Sequence, residues 1–127
     1  MNVAAVKQEL TERYPGIDIK DATVIEGVVT EIVGEIDRKL IESDRDVAVV
    51  IADRSAEHWH DVITEEYKVI KGGLRVYRNG EPTDLKPGET ITVKPGTRHW
   101  VEGDETWFFC YSVPDWFPGD YHTTKGS

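Results

Sequence analysis

The residues of this chain best suited to chemistry stand in two clusters. The first is His58-Trp59-His60, followed after four intervening positions by Glu65 and Glu66; the second is Lys94-Pro95-Gly96-Thr97-Arg98-His99. Side chains two apart in a strand share a face, so a strand through the first cluster would set His58 and His60 side by side. A hairpin between the clusters would bring back a third imidazole behind a Pro-Gly turn. Three imidazoles and a carboxylate converging on one point suit a first-row transition metal, and ligand type alone admits iron, manganese, cobalt, nickel, copper or zinc. Four protein ligands leave two positions open on a six-coordinate ion. Such an ion would polarise a carbonyl or hydroxyl or, if iron, bind dioxygen beside a substrate.

These clusters need a rigid frame, and the punctuation of the chain suggests an all-β one. Val3, Val6, Leu10 and Tyr14 recur at helical intervals behind Asn2, a suitable N-cap, and Pro15-Gly16 stops the pattern. This predicts one short helix over 3–14, packed as a lid on the outside. From residue 17 the period shortens. Residues 17–19, 23–25 and 28–36 hold β-branched residues between turns, and 37–46 reads as a polar loop into which Leu40-Ile41 tucks. The nearly continuous apolar run at 46–52 predicts a strand covered on both faces. Strands at 67–70, 74–78, 90–93 and 107–113 follow, separated by Gly72-Gly73, Asn79-Gly80, Lys86-Pro87-Gly88 and Pro95-Gly96. Residues 61–64 would connect two antiparallel strands and set Glu65 opposite the histidine pair. The aromatic run Trp116-Phe117 is expected to pack back on the barrel. The expected division is a helix over 1–16, a single barrel over 17–122 and a frayed tail over 123–127.

Composition narrows the partners. Fifteen basic against twenty-four acidic residues give a net charge of -9, with no basic patch to neutralise phosphates, so neither nucleic acid nor an anionic membrane is an expected partner. The absence of a signal segment or a long apolar run makes the cytoplasm the expected compartment. Cys110 is the single cysteine; in Trp107-Phe108-Phe109-Cys110-Tyr111 it reads as a buried, inert thiol.

The two clusters resemble the paired motifs of the cupin superfamily. His58, His60, Glu65 and Gly72 match the first motif's spacing, and Gly88, Gly96 and His99 match the second's. Ala52 and Lys94 stand where the motifs carry glycine and proline, and Gly103 stands at the closing asparagine, so the departures concern turns and strand ends. The resemblance implies a double-stranded β-helix, a small jelly-roll barrel. It also implies a single divalent metal (iron, manganese, nickel or zinc) on His58, His60, Glu65 and His99, and a homodimer. Strand alternation allows only one of Glu65 and Glu66 to face the metal, and the spacing to Gly72 favours Glu65.

Two function classes follow. One is a metal-dependent enzyme acting on a small sugar or organic acid, by oxygenase chemistry or by isomerase, epimerase or lyase chemistry. Tyr67 is its candidate general base by strand phase, with Tyr77 and Tyr111 behind it. The other is a non-catalytic module that holds a sugar or acid with the metal as a clamp. Trp100, Trp107, Phe109 and Trp116 are candidates for a pocket mouth but suit core or dimer contacts better. Arg75, Arg78 or Arg98 would recognise a carboxylate if one pointed inward, though alternation aims Arg98 away from His99. His122 reads as a surface residue.

Overall fold

The computed structural model describes residues 1–124. It comprises helix α1 (Val3–Arg13) and eight strands: β1 (Asp18–Ile25), β2 (Val28–Glu35), β3 (Asp46–Arg54), β4 (Thr64–Lys71), β5 (Leu74–Arg78), β6 (Glu81–Leu85), β7 (Thr90–Val93) and β8 (His99–Val113). All pairings are antiparallel, in the order β1-β2-β3-β8-β4-β7, with the β5–β6 hairpin attached to β8. β8 organises the sheet. β3 runs along one of its edges, while β5 and then β4 share the other. This is an all-β antiparallel barrel with one short helix.

β3 is covered on both faces, as its sequence predicts. Val50 and Ala52 face the barrel interior with Tyr67, Val69, Val76, Val101 and Phe108. Val47, Val49 and Ile51 face outward, where Val6 and Leu10 of α1 cover them together with Ile32, Ile36 and Trp107. Asn2 caps the helix by accepting the Ala5 N–H at 3.1 Å. That cap is worth about 1 kcal/mol, against roughly 1.5–3 kcal/mol for each aliphatic side chain buried beneath the helix. Packing, not the helix end, holds the lid in place.

Several expectations need correction. Residues 18–25 form one strand with register shifts at Thr23, not two fragments. β8 begins at His99, eight residues before the apolar run that announced it. Glu102-Gly103-Asp104-Glu105 has the composition of a turn, but the strand passes through it as an irregularity. Glu105 takes a positive φ of 49° and donates its N–H to Asp53 Oδ1. A Cβ on Gly103 would lie 2.9 Å from the Ala52 carbonyl and 2.6 Å from Thr106 Oγ1, so the family's asparagine has no room there. Ile41 packs on the helix-side cluster, whereas Leu40 is exposed. The expected tail falls partly on residues 125–127, outside the described residues.

Candidate metal centre

The segment carrying His58 and His60 is not a regular strand. It is a loop tied down at two points, with His58 bridged to His99 and Trp59 bridged to His122. Alternation survives this irregularity. Both imidazoles point inward, while Trp59 points out beneath the Arg98 guanidinium at 4.5 Å. The Gly96 N–H donates to the His60 carbonyl at 2.6 Å from a turn in which Gly96 has φ +80°, which locks the two motifs together. Glu65 arrives separately on β4, paired with Ser112 and Val93, so residues 61–64 do not form the two-strand connection expected of them.

The ligand atoms of His58, His60, Glu65 and His99 all lie within 4.8 Å of one another. Ligands about 2.1 Å from one ion stand roughly 3–4 Å apart, so small side-chain shifts would close the set on a metal. Each imidazole is already oriented for that. The Nδ1 atoms of His58, His60 and His99 lie 2.9, 2.7 and 2.8 Å from the carbonyls of Ala56, Asp120 and Thr97. A carbonyl can only accept, so each Nδ1 carries the hydrogen and each Nε2 is turned to the centre. His60 Nε2 is buried 3.3 Å from Glu65 Oε1 without a well-formed hydrogen bond, beside His99 Nε2 at 3.2 Å from the same oxygen. An orphaned buried polar atom costs about 1–3 kcal/mol, and an ion at this point would satisfy it. The residues fit a divalent metal.

Electrostatics agree with that fit. Burial and the adjacent His99 push the His58 pKa down to about 3, so it is neutral and ready to ligate. Burial would raise Glu65, but His60 and His99 hold its carboxyl well below the usual range. Burial likewise opposes charge on His60, yet Glu65 raises its pKa. Glu65 also accepts from Tyr67 Oη at 3.0 Å and Cys110 Sγ at 3.1 Å. Burial, then the Glu65 charge, keeps both the phenol and the thiol protonated. Tyr67 is therefore at the centre as a hydrogen-bond donor. The alternatives to it are not there: Tyr77 stacks on Trp100, and Tyr111 lies under Arg45.

Four residues that sequence reasoning missed complete the surroundings. Asp120 is buried and receives the backbone N–H groups of Asp61, Val62 and Ile63, while its carbonyl holds His60. Tyr121 stacks on His58 at 4.6 Å. Glu31 and Glu35, on β2, line the same cavity of about 770 Å³ as His58, His60, Glu65 and Tyr67. Trp116 also lines it, whereas Trp107 and Phe109 belong to the helix side. His122 stays outside the ligand set and pairs with Asp61 at 3.0 Å.

Glu31 gives a test of the cavity's chemistry. Burial raises its pKa from 4.5 to about 7, against the pull of the Thr23 hydroxyl donating at 2.7 Å. A carboxyl raised on folding binds its proton more tightly in the native state, so its contribution is neutral below 4.5 and becomes unfavourable as pH rises toward 7. Glu31→Gln is thus expected to gain stability relative to the parent across that interval, by about 2–3 kcal/mol at the plateau. Denaturant melts of both proteins at a series of pH values measure the difference, and a difference independent of pH would place Glu31 in water.

The comparisons with known proteins agree with this architecture. The cupin domain family matches residues 46–109, half of the chain. Among solved structures, Pac13 of Streptomyces, a nucleoside dehydratase, superposes with a TM-score of 0.63 at 21% identity, covering 73% of this chain and 77% of that one. KdgF from Halomonas sp. gives 0.61 at 17% identity over 78% and 89% of the two chains. A predicted oxalate decarboxylase from Thermotoga maritima gives 0.55 at 16% identity over 65% and 79%. No curated protein sequence matches the chain.

Proposed function

The chain belongs to the cupin family, and from that premise we propose that it is a divalent-metal-dependent enzyme performing isomerase, epimerase or lyase chemistry on a small oxygenated molecule. The observation that carries this reading is the orphaned His60 Nε2, turned with two other imidazoles toward Glu65 at the base of the cavity. A bound ion would supply Lewis acidity to two adjacent substrate oxygens.

The chain's own residues would do the rest. The three Nδ1–H bonds to backbone carbonyls fix the imidazoles, and Tyr67 and Cys110 hold Glu65 in one orientation. Tyr121 walls His58 from solvent. Glu31, with a pKa of about 7 on the same cavity wall, is suited to take a proton from substrate carbon and return it. Tyr67, held protonated on Glu65, is suited to donate rather than to act as base. We also propose the homodimer, supported by the exposed Val24, Ile25 and Val28 at the β1–β2 turn.

Metal-loaded protein incubated in D2O with small aldoses, ketoses and hydroxy acids is expected to place solvent deuterium next to a carbonyl, and His99→Ala is expected to lose this exchange. Dioxygen consumption without exchange would overturn the reading in favour of an oxygenase. Bound metal with neither activity would favour the non-catalytic binding module.

A further inference from the structure

The cavity beyond the ligands is walled by acid. Glu31, Glu35 and Asp46 line it from β2 and β3, partly buried, while Asp18, Asp21 and Asp115 stand at its exposed rim. Lys20 is the one lysine, and no arginine contributes, among the described residues lining it. The arginines that could have received a carboxylate are elsewhere. Arg75 pairs with Asp84, Arg78 donates to the Thr92 carbonyl and Arg98 covers Trp59.

We propose that this cavity selects a substrate bearing a protonated amine at the end opposite its metal-binding oxygens, and rejects carboxylates. The inference rests on the metal-enzyme reading above, because a ligand seated on the centre defines which end meets the acidic wall. The orphaned His60 Nε2 marks that seat.

The rim charges are partly matched, since Asp21 pairs with Lys7 at 2.9 Å and Asp115 with Arg38 at 2.8 Å. The inner ones are not balanced. Burial and the neighbouring Asp46 raise Glu35 to about 7 even though Lys20 and Arg38 pull the other way. Glu31 is raised to the same value with a single hydroxyl donating to it. A cation seated beside Glu35 and Asp46 would relieve their repulsion, whereas a second anion would add to it. Low-dielectric walls focus such a field, so the discrimination is larger than on an open surface. Val33, Val50 and Phe108 give the same cavity an apolar wall for a short carbon chain.

The test uses zinc-loaded protein and three straight-chain hydroxamates that share one metal-chelating head and end in ammonium, methyl or carboxylate. Calorimetric titration at about pH 8, where both glutamates are mostly ionised, is expected to rank ammonium above methyl above carboxylate. The two charged tails should differ by about tenfold or more at low salt, and the gap should shrink at high salt. Glu35→Gln, alone and with Asp46→Asn, should narrow the gap while leaving the methyl-tailed compound's affinity unchanged, which also reports that the variants are folded. Equal binding of the three tails, a preference for carboxylate, or a gap insensitive to both salt and the substitutions would overturn this inference alone. Failure of all three compounds to bind would overturn the metal centre with open positions, and this inference with it.

Discussion

Replacing His58 or His99 with alanine is expected to abolish stoichiometric metal binding while leaving the barrel folded. The two cores that hold the strands, one inside the barrel and one beneath α1, contain neither histidine. The His58–His99 bridge is made by backbone atoms, so it survives loss of either ring. What disappears is one of four converging ligands. Elemental analysis against protein concentration, with circular dichroism as the folding control, measures this; one equivalent of metal retained in both variants would refute the ligand assignment. The same measurement separates Glu65→Gln from Glu66→Gln. Glu65 is buried among the imidazoles, whereas Glu66 points outward to Arg45 at 3.2 Å, so only the first substitution should weaken the site strongly. Affinity should also fall as pH drops. A metal displaces protons from its imidazoles, and Glu65 raises the proton affinity of His60, so that ring is the first to be lost to competition.

The convergence of His58, His60, Glu65 and His99 was readable because their spacing survives irregular backbone. His58 and His60 sit in a loop, yet alternation still turns both inward and Trp59 outward, and the register of β4 separates Glu65 from Glu66 as strand phase requires. The acidic wall was not readable, for a physical reason. Along β2 and the residue that follows it, Ile32, Gly34 and Ile36 alternate with Glu31, Val33 and Glu35, and the usual inference puts the apolar face in the core and the acids in water. Here the apolar face is taken by α1 on the outside of the sheet, and the acids face the interior cavity. A strand covered on both faces defeats a reading that assumes one wet side. The length of β8 was hidden similarly, because Gly103 and its acidic neighbours have the composition of a turn while the chain uses them to bend a strand without ending it.

The least readable residue is predicted to matter next most. Asp120 lies sixty positions from His60, behind the aromatic run expected only to pack on the barrel. Burial alone would raise its pKa, but the N–H groups of Ile63, Asp61 and Val62 hold its carboxyl below the usual range. The side chain therefore pins the loop between His60 and β4 at three consecutive amides, while its backbone carbonyl orients the His60 ring. Asp120→Ala leaves that carbonyl but releases the loop, so the ring's position is no longer fixed from both sides. Metal affinity is expected to fall about tenfold to a hundredfold, the scale on which partners behind metal-ligating histidines act, and the thermal midpoint of the metal-free protein to drop by several degrees. Asp120→Asn, which keeps one oxygen acceptor without the charge, should fall between. Because a depressed carboxyl stabilises the native state above its unfolded pKa and loses that contribution as pH falls through its folded one, the deficit in Asp120→Ala should vanish in acid. Melts of the metal-free proteins from neutral to acidic pH, paired with competitive zinc titrations, test both halves. Undiminished zinc affinity in Asp120→Ala would mean that the three imidazoles hold their places without the C-terminal segment.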